Sequence, residues 1–278
     1  MSILYFFLVL FIALWILIFW VVTTSCAVAW YEYSNRDPQL LAGRFLPERR
    51  YLALRLIFVE AWSIFLVVCA YPFGLLPQKP QILIKVAQKR PVLLLHGLFQ
   101  NRAVWFLMKQ RLEQCGFPVV TMNLPPYEMV ESLGRKIAET VEETLVTYDA
   151  EQVDIVGHSM GGLLARYYIE FLGGDKRVNH CIMLGTPNAG SKLAPFALSS
   201  LGRDLMPGSD FLTELNAAPL SEKVGYVTIY SLHDNLVIPA ESAELPGAEA
   251  IEIEWLGHNS LIFHRESIEA TIDALRVT

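Results

Sequence analysis

The sequence predicts an α/β fold, in which a mostly parallel sheet is covered by helices on both faces and is preceded by an N-terminal hairpin of two transmembrane helices. From about residue 91 onward, short and continuously apolar runs alternate with amphipathic stretches. Parallel strands that are buried on both faces and joined by helices produce this pattern. The first 76 residues instead contain two long apolar stretches. With 278 residues, the chain is long enough for one large domain with a membrane segment in front of it.

The apolar pattern also predicts the elements of residues 91–278, here called the sheet domain. We expect strands at residues 91–95, 119–123, 153–156, 180–184, 225–231 and 250–255, and helices at residues 103–114, 129–148 and 163–172. Residues 191–223, here called the insert, interrupt the alternation. Their apolar side chains either form a cap over a site at the strand ends or pack as an excursion without such a role.

The first apolar stretch runs from residue 3 to residue 30 without a charged side chain. A bilayer core of ~30 Å needs about 20 helical residues, so this stretch predicts a transmembrane helix. A cleaved signal peptide is disfavoured, because no basic residue follows Met1 and no small-residue cleavage site closes the run.

The second apolar stretch, residues 52–76, contains Arg55 and Glu60 as its only charges. It completes a membrane-spanning hairpin if Glu60 faces the first helix or the interface. An interfacial helix resting on the membrane is the alternative, because an acidic group near the middle of a span is costly. We therefore predict a membrane anchor at residues 1–76 and a linker at residues 77–90, with a short strand at 82–86.

The distribution of basic residues gives an orientation. The N-terminus carries no lysine or arginine, whereas the loop between the apolar stretches carries Arg36, Arg44, Arg49 and Arg50. The positive-inside rule makes this loop cytoplasmic. If both stretches span a bacterial inner membrane, the sheet domain then lies on the non-cytoplasmic face. A similar number of basic residues follows the second stretch, namely Lys79, Lys85, Lys89 and Arg90.

Charge and cysteine content narrow the possible partners. The net charge is -6 and the chain has no basic stripe, which disfavours a nucleic-acid partner. The four cysteines are spaced without a pattern for a disulfide framework or a metal site. Asp204 and Asp210 do not form a recognisable calcium loop. No cofactor is implied.

The most informative segment is a strand that ends in Gly157-His158-Ser159-Met160-Gly161 and continues into a helix. A Gly-x-Ser-x-Gly turn in this context presents the serine hydroxyl above the sheet as a nucleophile. Side chains at the two outer glycines would collide with the neighbouring turn or helix, because the serine sits in a strained conformation. Ser159 is therefore the candidate nucleophile.

Two backbone N–H groups are candidates for stabilising the negative oxygen of a tetrahedral intermediate. Leu98 follows the first core strand in His96-Gly97-Leu98, where a glycine turn can present its N–H. Met160 directly follows Ser159 at the N-terminus of a helix, where the helix dipole adds positive charge. We predict these two groups as the oxyanion hole.

Three motifs together resemble the bacterial lipases and esterases of the α/β-hydrolase fold: His96-Gly97-Leu98, Gly157 to Gly162, and the Leu-Gly-Thr-Pro-Asn-Ala-Gly-Ser segment from Leu184 to Ser191. The resemblance covers about residues 91–278. Gln100 and Asn101 depart from the His-Gly-x-x-Gly loop of many of these lipases. Asn188 stands where the segment after Thr-Pro often carries histidine.

In this fold the acid and the base follow the serine in the order Asp or Glu, then His. Asp234 follows the strand that ends near residue 231, and His258 follows the next strand. Asp234 can orient an imidazole by accepting its Nδ1–H, and His258 can take the serine proton with Nε2. His233 and His264 remain competitors for the base, while His96 and His158 are expected to be structural.

The resemblance implies a serine hydrolase that cleaves carboxylic esters, and together with the predicted membrane anchor it indicates acyl lipids or other apolar esters as substrates. An acyltransferase using the same three residues is an alternative. A non-catalytic scaffold anchored to the membrane is another, since a fold alone does not establish an activity.

Overall fold

Six parallel strands form the centre of the computed structural model, which describes residues 3–36, 46–77 and 89–277. The strands are β1 Val92–Leu95, β2 Val119–Met122, β3 Val153–His158, β4 Val178–Leu184, β5 Gly225–Tyr230 and β6 Glu249–Glu252. They are ordered β2-β1-β3-β4-β5-β6 across the sheet, and each pairs in parallel with its neighbours. The predicted parallel sheet is confirmed. The strand predicted at residues 82–86 lies outside the described residues.

Helices connect the strands and cover both faces. They are α1 Ile3–Arg36, α2 Pro47–Gly74, α3 Phe106–Gln114, α4 Val130–Tyr148, α5 Met160–Phe171, α6 Ser200–Asp204, α7 Asp210–Ala217, α8 Ser260–Phe263 and α9 Arg265–Ala274. A 3₁₀ turn at Arg102–Trp105 leads into α3.

Alternate residues of each strand enter two separate cores, as expected for a sheet covered on both faces. Leu93 and Leu95 of β1 pack in one core with α4 and α5. Val92 and Leu94 pack in the other with α3 and α9. This two-layer cover fixes the sheet, so the loops at the carboxyl ends of the strands have a rigid base.

The junction between β3 and α5 is held by close backbone packing. A Cβ atom on Gly157 would lie 2.6 Å from the carbonyl carbon of Gly161, and one on Gly161 would lie 2.7 Å from the carbonyl carbon of Leu95. The expected collisions are therefore present, at the helix for Gly157 and at the end of β1 for Gly161. Helix α5 begins at Met160, three residues earlier than predicted, because the glycine pair is itself part of its first turn.

The last strand is shorter than predicted. We expected it to run to Trp255, but β6 ends at Glu252. Trp255 has a φ of 58°, outside the extended region, and its ring stacks on His233 with the ring centroids 4.0 Å apart. The aromatic and β-branched composition of the segment suggested a longer strand, whereas packing on His233 turns the chain away from the sheet.

The two apolar stretches form helices α1 and α2, and both are longer at their loop-proximal ends than predicted. Ring contacts join Phe11 to Phe65, Trp15 to Trp62, and Phe19 to Phe58. Residue numbers rise along one helix as they fall along the other, so the pair is an antiparallel hairpin. By length and composition alone, both helices are long and apolar enough to cross a membrane.

Gly157→Ala should destabilise the sheet domain by about 3 kcal/mol, because backbone atoms on α5 leave no side chain that could move aside. Gly116→Ala is the matched control: no described atom lies within 4 Å of its added Cβ, and its φ of 85° is the only penalty, about 1 kcal/mol. Urea unfolding of both variants measures the difference. Equal stability of the two variants would contradict the packing argument.

Candidate active site

Ser159 occupies the turn between β3 and α5 with φ 54° and ψ -123°, a conformation that residues with a Cβ rarely adopt. Its N–H donates to the carbonyl oxygen of Leu184 on β4 at 2.9 Å. The strain is compensated by the close packing of the flanking glycines. Strained backbone held this firmly is typical of functional sites.

Asp234 and His258 form a buried pair beside this turn. The Nδ1 of His258 lies 2.8 Å from Oδ2 of Asp234, while Oδ1 of Asp234 accepts the N–H groups of Leu236 and Val237, each at 2.8 Å. A Cβ atom on Gly185 would come within 3.2 Å of Asp234 Oδ2 and 3.3 Å of His258 Nδ1. The glycine of the Leu-Gly-Thr-Pro segment therefore leaves room for the pair.

The electrostatic surroundings of His258 favour its protonated form. Burial by itself lowers the pKa of this imidazole, but the charge and hydrogen bond of Asp234, together with the charge of Glu60, outweigh burial and raise the pKa above 6.5. An imidazole with a raised pKa is a stronger proton acceptor than one that is merely buried. The pair thus has the properties of an oriented general base.

Ser159 and His258 line the same cavity, which has a volume of about 320 Å³. Its wall is mostly apolar and comes from the β1 loop (residues 96–101), the insert, the segment after Asp234, and helix α2. The apolar lining residues are Ile64, Val67, Leu98, Phe99, Leu193, Ala194, Ala197, Leu205, Leu236 and Val237. An apolar cavity next to a nucleophile and a base can hold an acyl chain.

Leu98 and Met160 are the predicted oxyanion donors. Met160 is the first residue of α5, so its N–H belongs to the first turn, where N–H groups lack an intrahelical partner. Leu98 lines the cavity together with Ser159. Gln100 accepts the N–H of Gly97 at 3.0 Å and thereby holds the β1 loop in shape.

The departures from the lipase pattern have structural partners. Gln100 donates through Nε2 to Oδ1 of Asn259 at 3.0 Å, which joins the β1 loop to the loop that carries His258. Asn101 caps the 3₁₀ turn by accepting the N–H of Ala103 at 3.1 Å. Asn188 donates to the carbonyl oxygen of Ala243 at 2.9 Å.

The other histidines are engaged elsewhere. His96 accepts the N–H of Leu124 at Nε2, and burial lowers its pKa to about 4. His158 donates from Nε2 to the carbonyl oxygen of His258 at 3.1 Å, and burial holds its pKa well below 6.5. His233 accepts the N–H of Trp255 at Nδ1. His264 lies between α8 and α9. Among the described histidines, His258 is the one bonded to Asp234.

The apolar helices contact this site, which the sequence patterns did not predict. Glu60 of α2, fully buried, accepts the N–H groups of Asn259 and Ser260, each at 2.9 Å. It faces the loop that carries His258, whereas a membrane-spanning second helix required it to face the first helix or the membrane interface. The signal that could have found it is a lone acid in an apolar run, which normally marks a site with a specific partner.

Helix α1 is also connected to His258, through the side chain of Asn235. The N–H of His258 donates to Oδ1 of Asn235 at 3.0 Å, and Nδ2 of Asn235 donates to Oγ of Ser25 on α1 at 2.7 Å. Farther along α1, Nζ of Lys192 lies 2.5 Å from Oε1 of Glu32. Both helices therefore contact the loops that carry the acid and the base.

Among residues 3–36, 46–77 and 89–277, no group of three or more histidine, cysteine, aspartate or glutamate side chains is placed to hold a metal ion. The chemistry available at the site is that of a serine, an imidazole, a carboxylate and backbone N–H groups.

The sheet order, the strained serine turn and the Asp–His pair at the strand ends are those of the α/β-hydrolase fold. Residues 90–205 match the family described as alpha/beta hydrolase fold. The resemblance drawn from the sequence motifs is thereby confirmed for this part of the chain.

Two curated triacylglycerol lipases are among the relatives. That of Pseudarthrobacter phenanthrenivorans is 30% identical over 127 residues, which are 42% of this chain and 39% of that protein. That of Burkholderia plantarii is also 30% identical over 127 residues, or 42% of this chain and 35% of that protein. The chain thus spans well under half the length of these relatives.

Among solved structures, the mature form of the lipase BlEst2 from Bacillus licheniformis is similar. It superposes with a TM-score of 0.61 at 21% sequence identity, covering 73% of this chain and 97% of that one. The likeness shows that the two chains share the fold.

Asp234→Asn should lower the pKa of His258, because it removes the main interaction that favours the imidazolium. The Asp234–His258 pair stabilises the folded protein fully below pH 6.5. This contribution is lost as the pH rises through the raised pKa that His258 has in the folded protein. NMR titration of the imidazole, with unfolding measured on both sides of that pH, checks both effects. An unchanged titration in the variant would contradict the assigned pairing.

Proposed function

We propose that this protein is a membrane-anchored serine hydrolase that cleaves carboxylic esters through an acyl-enzyme. The observation that carries the proposal is the placing of a strained Ser159 and an Asp234-oriented His258 on one apolar cavity. A merely structural serine needs neither the strain nor the buried pair beside it.

In the proposed mechanism, Oγ of Ser159 attacks the ester carbonyl while Nε2 of His258 takes the hydroxyl proton. The N–H groups of Leu98 and Met160 stabilise the oxygen that becomes negative, and Asp234 stabilises the imidazolium. His258 then gives its proton to the departing alcohol. A water molecule, deprotonated by the same imidazole, attacks the acyl-enzyme and releases the carboxylic acid and the serine.

The substrate class follows from the cavity and from the membrane helices. Apolar side chains dominate the cavity wall, which suits a hydrocarbon chain better than a polar acyl group. The relatives described as triacylglycerol lipases act on acyl esters by name. We therefore propose acyl lipids or other apolar esters as substrates, taken from the bilayer.

Ser159→Ala should abolish hydrolysis of p-nitrophenyl esters and labelling by a fluorophosphonate probe, since both reactions need the serine oxygen. Ser132→Ala, on α4 outside the cavity, is the matched control and should keep both. Labelling of Ser159→Ala at the wild-type level would refute the nucleophile. Well-folded wild-type protein with neither activity nor labelling would point to the scaffold alternative.

The contacts of the helices favour the alternative in which the hairpin rests on the membrane surface. Helix α2 is bonded to the sheet domain at Glu60 and again near its end, where Asn101 donates to the carbonyl oxygen of Tyr71 at 2.7 Å and Asn123 to that of Gly74 at 3.1 Å. These contacts span about 21 Å of helix. Phe11, Trp15 and Phe19 pack α1 against the first part of this segment, so neither helix can cross the bilayer there without drawing the sheet domain into it.

This arrangement changes the expected side. Arg36 ends α1, and Arg49 and Arg50 lie in the first turn of α2, so basic residues lie at one end of the hairpin. The anionic cytoplasmic leaflet of a membrane attracts such residues. We propose the cytoplasmic face of a bacterial inner membrane, in place of the non-cytoplasmic face expected if both helices span.

C-terminal fusions of the full chain should be fluorescent with green fluorescent protein and inactive with alkaline phosphatase, which folds only after export. Membrane fractionation of the fusions, with and without alkaline carbonate, measures the anchoring. An active alkaline phosphatase fusion would restore the arrangement in which both helices cross.

A further inference from the structure

We propose that Glu60 is a positioning residue for the reaction, which holds the loop of the catalytic histidine and makes the second apolar helix part of the active site. The inference rests on the proposed function, because it assigns a role in the chemistry of that same site. It goes beyond the proposed function in tying the catalytic loops to a helix that composition alone marks as a membrane anchor.

Glu60 accepts three hydrogen bonds from the two residues that follow His258. Oε1 of Glu60 accepts both the backbone N–H and the side-chain Nδ2–H of Asn259, each at 2.9 Å, and Oε2 accepts the N–H of Ser260 at 2.9 Å. A Cβ atom on Gly257 would lie 2.5 Å from Oε2, so a glycine is needed for the carboxylate to approach. All these partners lie within two residues of His258. The carboxylate thus fixes the histidine loop, residues 257–260, at the two residues that directly follow the base.

The same contact extends to the β1 loop. Asn259, held by Glu60, accepts the Nε2–H of Gln100 at 3.0 Å, and Oε1 of Gln100 accepts the N–H of Gly97 at 3.0 Å. Gly97 directly precedes Leu98, the proposed oxyanion donor. One chain of hydrogen bonds therefore runs from α2 through the histidine loop to the oxyanion hole, and it sets the base and the donor relative to each other.

Stability alone does not account for this carboxylate. Burying a charged group costs free energy, and a well-packed apolar side chain is often equally stabilising at such a site. A negative charge next to His258 gains value during the reaction, when the imidazole takes the serine proton and becomes positive. Glu60 is therefore placed to support the charge that forms in the transition state as well as the loop geometry.

Charged and titratable groups approach the imidazole from several elements. Asp234 faces it from the loop after β5, Glu60 from α2, and His158 from β3. His158 is neutral, because burial holds its pKa well below 6.5. The Cys26 thiol of α1 lies within electrostatic range of both carboxylates. Removal of the Glu60 charge thus leaves Asp234 as the remaining carboxylate that favours the imidazolium.

The test uses the full chain in detergent micelles with a short, soluble p-nitrophenyl ester. In Glu60→Gln the amide keeps the size and one acceptor, but it turns an N–H donor toward the N–H of Ser260. We expect kcat to fall about 10- to 100-fold, as for a displaced catalytic group, with KM nearly unchanged. The acid limb of the kcat/KM profile should shift to lower pH, because the imidazolium loses a stabilising charge.

Two variants separate positioning from folding. Glu60→Asp keeps the charge but is one methylene shorter, so it should restore the wild-type acid limb and part of kcat. Glu32→Gln removes another contact between the hairpin and the sheet domain, the ion pair with Lys192, and should leave kcat and the pH profile unchanged. Fluorophosphonate titration counts active sites in each preparation, so that kcat refers to folded enzyme only.

The outcomes are distinguishable. A folded Glu60→Gln variant with the wild-type kcat and the wild-type acid limb would overturn the proposal. So would a loss of activity that is fully explained by fewer active sites in the fluorophosphonate titration, with the acid limb unshifted. Absence of labelling at Ser159 in the wild-type protein would instead refute the proposed function, and this is measured first.

Discussion

A buried carboxylate on an apolar helix is the constraint on which the arrangement of the whole chain depends. The polar neighbour of Glu60 on α2, Ser63, donates to the carbonyl oxygen of Val59 instead, and an unsatisfied charge in such surroundings is very costly. The N–H groups of Asn259 and Ser260 supply its partners. The helix is therefore fixed where a loop of the sheet domain offers several donors together, and that loop carries His258.

Once α2 is fixed there, its two faces have different surroundings. Ile64 and Val67 follow Glu60 by about one and two helical turns, so the face that bonds to the histidine loop also lines the cavity. Phe58 and Trp62 on the other side are more than half exposed. A helix that borders the nucleophile on one side and presents apolar rings on the other suits an enzyme whose substrate arrives from a lipid phase.

The sheet and the catalytic candidates could be predicted because each follows from local sequence. Apolar runs define the strands, and a parallel sheet brings Ser159, Asp234 and His258 to one edge. Glu60 was visible as an anomaly, but its partner Asn259 is 199 residues away in the chain, and nothing local points to it. Gln100 likewise looked like a departure from a family pattern. Its hydrogen bond to Asn259 explains its presence, but the sequence alone does not reveal this bond.

The end of the apolar segment in the sequence is not the beginning of the unit that holds His258. The apolar stretches end near residue 76, but His258 is held on one side through Asn235 by Ser25 of α1 and on the other through Asn259 by Glu60 of α2. The two cores of the sheet consist almost entirely of residues after position 91, so the hairpin contributes little to their packing. The buried donors of the histidine loop do need it, because each would lose a partner without gaining access to water. Residue 76 therefore marks the end of the apolar segment, whereas the proposed catalytic unit begins within α1.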